Sequence, residues 1–546
     1  MKKNFSVVPS VSISRSKFIR PSQRKTSLKL GEITPIFCDE VLPGDTRKID
    51  MAALVRMNTP VAPIMDNIYI DYYAFYCPNR LAWNHWKEFM GENNTSAGIY
   101  TGTEYKVPMI DLFNNGILAN SLGDHLGLPI IGNANSSKHL FVSALPGRIY
   151  RLIYNEWFRD QNIISPVSVS LGDVESITSL YSVNLFKAAK VSDYFTRALP
   201  YAQKGAPVTI PLGTQAPIKA YDTSNVHDMG NALRLGTKGA GGVYSAGAGN
   251  LYVGAGGIVL SNTADLYPSA DSAVAKDIYY SNLYADLSNA TAATINSLRF
   301  AFQYQKMLEK DALYGTRYWE ILNAHFGVQA PDSSLQRPEL LGHWRQNINV
   351  DQVIQTTGIN QTTPGSNTLG QTAAVSVTGG KGNLVTKSFT EHGYIMILAV
   401  ARHDQTYGQG VDRSWTREHR TDFYFPVFAN LGAQVVKNKE IYAQGGELTN
   451  DELVFGYQEA WAEYRYKPST VTGYLRPNVT GLGFYTLSNN FAALPTLGQT
   501  FIEQDRSNLA RAIGSFDWDF IADFYFKDVA VRPMPLYSIP GLIDHH

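Results

Sequence analysis

The chain is short of four things, and each shortage excludes something. Its 546 residues include two cysteines, Cys38 and Cys77. Two are too few for a disulfide framework, and spacing alone does not say whether they meet; unpaired buried thiols are expected. No run of about 18 apolar residues occurs, so nothing is expected to span a membrane. The opening "MKKNFSVVPSVSISRSKFIR" starts basic but has no continuous apolar core, so no export signal is expected. Triplets such as Asn93–Thr95 therefore carry little weight as glycosylation sites. Net charge is also missing, because 47 Lys+Arg balance 47 Asp+Glu. Zero charge is a liability for a protein that must stay alone and none for one that assembles. Finally, the chain holds 25 Phe and 8 Trp, yet none stands between Phe195 and Phe300. A stretch without large rings is poor material for the main core.

Catalytic motifs are scarce too. The tract "GAGGVYSAGAGNLYVGAGG" (Gly239–Gly257) lacks the Gly-Lys-Ser/Thr ending that a phosphate loop needs. No Gly-X-Ser-X-Gly elbow is present. The pairs Glu391-His392, His403-Asp404 and His545-His546 are adjacent, so on a strand their side chains would diverge; none makes a metal pair. No cofactor, metal or catalytic residue is assigned. The strongest enzyme reading rests on carboxylates beside rings: Asp517, Asp519 and Asp523, with Glu459 and Glu463, could cleave glycosides. The competing reading places Asp517 and Asp519 on the wet face of a half-buried strand, and it is preferred.

What the chain does have is rings and strands. "YIDYYAFYCPNRLAWNHWKEF" (Tyr69–Phe89) holds eight aromatic residues. Ile68–Cys77 is apolar on both faces apart from Asp71, which predicts a strand buried on two sides. Trp83, Trp86, Phe89 and Met90 then fit one face of a short helix. Further helices are expected over Ile149–Trp157, over "SLRFAFQYQKMLEKDALYG" up to Gly315, and over "TRYWEILNAHFG". The last would start from Thr316, with Glu320 one place too late for a capping box. "GYIMILAV", "TDFYFPVF" and "FDWDFIADFYF" predict strands. Strands with long decorated loops and few helices predict an all-β sandwich of the jelly-roll kind.

Two regions stand apart. Residues 1–31 contain Lys2, Lys3, Arg15, Lys17, Arg20, Arg24, Lys25 and Lys29 before the first acid, Glu32. They form a basic N-terminal arm, able to dress a phosphate backbone or simply solvated. Residues 202–296 are expected to form a surface insertion, leaving 32–201 and 297–546 as the core.

Several stretches strongly resemble one family in both content and order. They are "LPGDT" (Leu42–Thr46), "VRMNTPVAPIMDN" (Val55–Asn67), "FYCPNRLAWNHWKEF" (Phe75–Phe89), "YGTRYWEILNAHFGV" with "RPELLG", "EHGYIMILAV", "FGYQEAWAEYRYKPSTVTG" and the closing "MPLYSIPGLIDHH". The family is the major capsid proteins of the small single-stranded DNA phages, the Microviridae, and the long insertion looks like the gokushovirus branch. The resemblance implies an eight-stranded antiparallel jelly-roll barrel that builds a 60-copy T=1 icosahedral shell in the virion after synthesis in the host cytoplasm. It implies as partners the chain itself, single-stranded DNA, a small basic DNA-packaging protein, an internal scaffolding protein, a pilot protein and a host-cell surface receptor. In gokushoviruses such an insertion makes protrusions at the three-fold axes; Tyr244, Asn250 and Tyr252 are the host-contact candidates here. DNA contact is expected to be sequence-independent, through the basic residues named above and through rings stacked on unpaired bases.

Overall fold

The computed structural model describes residues 14–537 except 93–104, 114–115, 132–136, 176–178, 355, 357–371, 446–447 and 514–516; within 209–294 it describes only the strands given below. The chain divides into two compact units, Met1–Lys204 with Glu309–His546, and Gly205–Leu308.

The larger unit is mostly β. Its eight long strands are β1 (Ser16–Leu28), β2 (Ile33–Val41), β3 (Thr46–Met57), β4 (Ile68–Pro78), β5 (Glu339–Ile348), β6 (Val377–Ser388), β7 (Gly393–His403) and β8 (Phe520–Arg532). They form two four-stranded sheets, ordered β1-β8-β3-β6 and β5-β4-β7-β2, with every neighbouring pair antiparallel. The pairs 1·8, 2·7, 3·6 and 4·5 are all hydrogen-bonded. No ladder among the described strands joins one sheet to the other; the pairing makes two antiparallel sheets, the all-β architecture expected.

The two sheets differ in how they are covered, and their sequences differ for that reason. In the first, alternate residues point inward: Ile49, Met51, Ala53 and Val55 on β3, and Phe520, Ala522, Phe524 and Phe526 on β8. Each buried large side chain stabilises the fold by roughly 1.5–3 kcal/mol. The intervening residues are wet. In the second sheet β4 and β7 are buried on both faces. One face meets the first sheet through Tyr72, Ala74, Ile395 and Ile397. The other packs Phe75, Cys77, Met396 and Leu398 against helix α1 (Leu145–Ile153) and Trp83. Double-sided burial is what makes these strands continuous apolar runs. A third cluster, around Phe195, Tyr407, Phe455 and Phe501, lies under the long loops.

The aromatic patch is chiefly internal. Tyr69, Tyr72, Phe75, Tyr76, Trp83 and Trp86 are buried, Tyr73 is half-buried and Phe89 is exposed. Cys38 and Cys77 are both free thiols, and burial pushes the Cys77 thiol up to about 12.

Several local expectations change. The single helix over Trp83–Met90 is two one-turn helices, Asn79–Ala82 and Trp86–Phe89. Trp83 is extended between them, its Nε1 donating to Asp173 at 2.8 Å. After α1 the chain widens into a π turn at Tyr154–Phe158. Helix α2 is Ile295–Tyr314 and ends at Gly315 (φ 111°); α3 is Tyr318–Phe326 and ends at Gly327. The cap of α3 is Arg317, not Thr316. That shift of one residue puts Glu320 at the third helical position, where it accepts the Arg317 N–H at 3.0 Å. "TDFYFPVF" is not a strand: Asp422 accepts the Glu418 and His419 N–H groups, and two 3₁₀ turns follow at Arg420–Asp422 and Pro426–Phe428. Phe516 lies outside the described residues, and the last strand begins at Phe520.

In the smaller unit the described strands are antiparallel. Ile218–Asp222 pairs with Asn225–Asp228 and Leu283–Ala285. Leu233–Lys238 pairs with Tyr244–Ser245, Asn250–Gly254 and Ile278–Tyr280, and Asn250–Gly254 pairs with Gly257–Leu260.

Candidate nucleic-acid and assembly surfaces

The eight basic residues expected to form an arm divide into groups. Lys2 and Lys3 lie outside the described residues. From Ser16 the chain is not a loose extension but a strand paired with β8 over its whole length; β8 needs this neighbour to fill one side of its ladder. Arg20 and Arg24 sit on its less exposed side. Arg20 pairs with Asp39 at 2.8 Å, and Arg24 donates to the His125 carbonyl. Lys29 follows the strand and is half-buried. Arg15, Lys17 and Lys25 are exposed, and the two lysines point outward from the first sheet.

On that outward face they join cations that the sequence reading did not single out. Lys48 and Arg56 on β3, Lys381 on β6 and Lys527 on β8 share it. The signal was the period-two alternation of β3, "TRKIDMAALVRM", and of β8. What could not be read was which strands lie side by side.

Inside the same sheet an ionic cluster binds the layers together. Fully buried Arg47 on β3 donates to Asp528 on β8 (Nε–Oδ1 3.0 Å, Nη2–Oδ2 2.6 Å) and to Asp39 on β2 (2.7 Å). Asp39 belongs to the second sheet, so the cluster spans both. Asp71, the lone acid of β4, is also buried and is held by Arg345 at 2.7 and 3.0 Å and His343 at 3.0 Å. Burial pushes its pKa up, but these hydrogen bonds outweigh burial and hold the carboxyl below its usual range.

The carboxylates considered for glycoside chemistry are scattered. Asp519 is not on a wet face; it is fully buried, accepting from Leu30 N–H at 2.9 Å and from Arg506 at 2.7 Å. Asp517 is exposed. Asp523 accepts from Gln23, Glu463 from Arg417 and Glu459 pairs with Arg465. Asp523 lines a depression on the first sheet, while Glu463 and Glu459 line two adjoining depressions that share Tyr466. Among the described residues no cluster of His, Cys, Asp and Glu could hold a metal, and no helix is long and apolar enough to cross a membrane. Tyr244, Asn250 and Tyr252 fall on strands of the smaller unit.

Large apolar residues are exposed at many points of the described chain, among them Phe326, Trp415, Val427 and Tyr474, with Trp415 at 84% and Val427 at 89% exposure. Exposed rings in number mark surfaces that contact other proteins.

Buried ionic staples, an exposed cationic sheet face and exposed apolar side chains on a neutral, two-sheet β protein are features of the class of structural assembly proteins. Comparison with known proteins makes this specific. Residues 6–542 match the family described as capsid protein (F protein). The chain is similar to capsid protein VP1 of Bdellovibrio phage phiMH2K, 39% identical over 98% of this chain and 97% of that one. It is 38% identical to capsid protein VP1 of Chlamydia phage 1 (99% and 98% covered) and 37% to that of Spiroplasma virus 4 (99% and 97%). These relatives are gokushoviruses of the Microviridae. The chain belongs to this capsid protein family.

Proposed function

We propose that the chain is the major capsid protein of a phage virion, self-assembling in 60 copies into a T=1 icosahedral shell around a circular single-stranded DNA genome. The observation that carries the fold reading is the pairing 1·8, 2·7, 3·6 and 4·5. It is the pattern left when one long two-stranded ribbon is rolled up, the eight-stranded jelly roll found in viral coats. Family membership along nearly the whole chain supports the same reading. Such a unit has sides to place against copies of itself, and repeated contacts around closed symmetry axes make modest interfaces collectively stable.

In this reading residues 202–296 project from the shell as protrusions at the three-fold axes, with Tyr244, Asn250 and Tyr252 facing a host-cell receptor. The separate compact unit at Gly205–Leu308 supports that role. The neutral chain does not balance a genome alone, so a small basic packaging protein shares the DNA; an internal scaffolding protein and a pilot protein complete the assembly in the host cytoplasm. The chain performs no catalysis. The test is electron microscopy of protein produced with its scaffolding partner. Uniform icosahedral particles are expected; monodisperse monomers with glycosidase activity would overturn the reading.

A further inference from the structure

The outward face of the first sheet carries an uneven share of charge. The chain as a whole is neutral, but here Lys17, Lys25, Lys48, Arg56, Lys381 and Lys527 face two carboxylates, Asp50 and Asp523. Both acids already have partners. Asn383 donates to Asp50 at 2.6 Å, and Gln23 Nε2 donates to both oxygens of Asp523 at 2.8 and 2.7 Å. A concentration of exposed cations on one face of a neutral protein attracts polyanions.

The face also has a shape. Strand registers set Gln23, Tyr525, Ala52 and Lys381 side by side in one row, and Lys25, Asp523, Leu54 and Gly379 in the next. Ala52 and Gly379 are small and their neighbours are not. The result is a depression of about 500 Å³ beside Tyr525 and Leu54, which are 47% and 43% exposed. This lies within the roughly 300–1,000 Å³ of small-ligand clefts.

We propose that this depression receives one unpaired nucleobase of single-stranded nucleic acid. Tyr525 supplies the stacking platform, the Gln23–Asp523 pair meets the polar edge of the base, and Lys25 and Lys381 take the flanking phosphates. An acidic peptide would satisfy the lysines but brings no flat ring to the slot, and a duplex keeps its bases stacked on one another. The inference deepens the reading of this chain as a coat around single-stranded DNA and rests on it.

Gly379 provides the test. A Cβ added there meets nothing within 4 Å, whereas one at Gly380 would strike Trp344 at 2.8 Å. Gly379→Leu therefore fills the depression without disturbing the core. Full-length protein is titrated, over a range of salt, with a fluorescent oligodeoxythymidine and with an abasic strand of the same length. Wild type is expected to bind the base-bearing strand about tenfold tighter, the scale of one stacked base. Gly379→Leu and Tyr525→Ala bring that ratio to about one and leave the salt slope unchanged. Lys25→Ala with Lys381→Ala lowers the slope by about 1.4, at roughly 0.7 per phosphate. A wild type without base preference, or a Gly379→Leu variant that keeps it, overturns the proposal. So does a Gly379→Leu variant that binds DNA normally but no longer forms particles, because the face would then be a contact between copies. Normal particles from a chain without base preference sink the slot alone; base preference without particles sinks the shell reading alone.

Discussion

Arg47 and Asp528 meet inside the sheet sandwich with no solvent contact to speak of: the side chains are 0% and 2% exposed and joined by two hydrogen bonds, at 2.6 and 3.0 Å. Removing Arg47 leaves buried Asp528 with only the more distant Arg20 at 3.7 Å, and removing Asp528 leaves buried Arg47 with Asp39 as its one close carboxylate. Asp528→Asn and Arg47→Met are each expected to cost about 3–5 kcal/mol. Urea unfolding of the unassembled protein checks this; a loss below about 1 kcal/mol would mean that water or Asp39 takes over the vacated partner.

Adjacent glycines on β6 should behave oppositely. A methyl group at Gly380 would lie 2.8 Å from the Trp344 ring, while one at Gly379 meets open space. Gly380→Ala is expected to destabilise by about 1–3 kcal/mol through overpacking. Gly379→Ala should be neutral or slightly stabilising, since alanine loses less backbone freedom than glycine. Equal effects in the same unfolding assay would contradict the packing described for Trp344.

His403 makes the fold sensitive to mild acid. It is fully buried at the end of β7; its Nδ1–H donates to the Asp404 carbonyl at 2.7 Å. Burial lowers its pKa to about 4. The unfolded chain, with a histidine near 6.5, binds a proton between pH 6.5 and 4 that the folded chain refuses. Stability from this group is therefore full above 6.5 and falls as pH drops towards 4, by up to about 3 kcal/mol. His403→Gln should flatten that part of the stability profile. An identical decline in the variant would remove His403 from the account.

Truncation separates tail from strand. Because β1 begins at Ser16, deleting residues 2–13 should leave the fold intact and lower the salt slope of single-stranded DNA binding by about 1.4, the share of Lys2 and Lys3. Deleting 2–29 removes the whole strand beside β8 and should prevent folding, which circular dichroism and proteolysis would report. A folded 2–29 deletion would contradict the pairing of β1 with β8.

These contrasts also say what the sequence makes legible. Ile68–Pro78 and Gly393–His403 are readable because burial on both faces leaves an unbroken apolar run. β1 is hard to read because its outward residues include exposed Ile19 beside lysines, so its alternation looks like a basic tail. "TDFYFPVF" has the composition of a strand, yet Asp422 captures two backbone N–H groups and Pro426 lacks one. Asp519 looks like a wet-face acid because its partners, Leu30 and Arg506, come from other segments. The cationic face needed the order β1-β8-β3-β6, and that order is fixed by long-range pairing which no local pattern records.

The central claim is that this β sandwich tiles a closed container through its sides. A symmetry-averaged cryo-electron microscopy reconstruction of assembled particles tests it most directly. The account predicts 60 copies, two four-stranded sheets in each, and residues 202–296 projecting outward at the three-fold axes. Particles whose walls are built by another protein, or an averaged subunit with residues 202–296 buried between the two sheets, would contradict it.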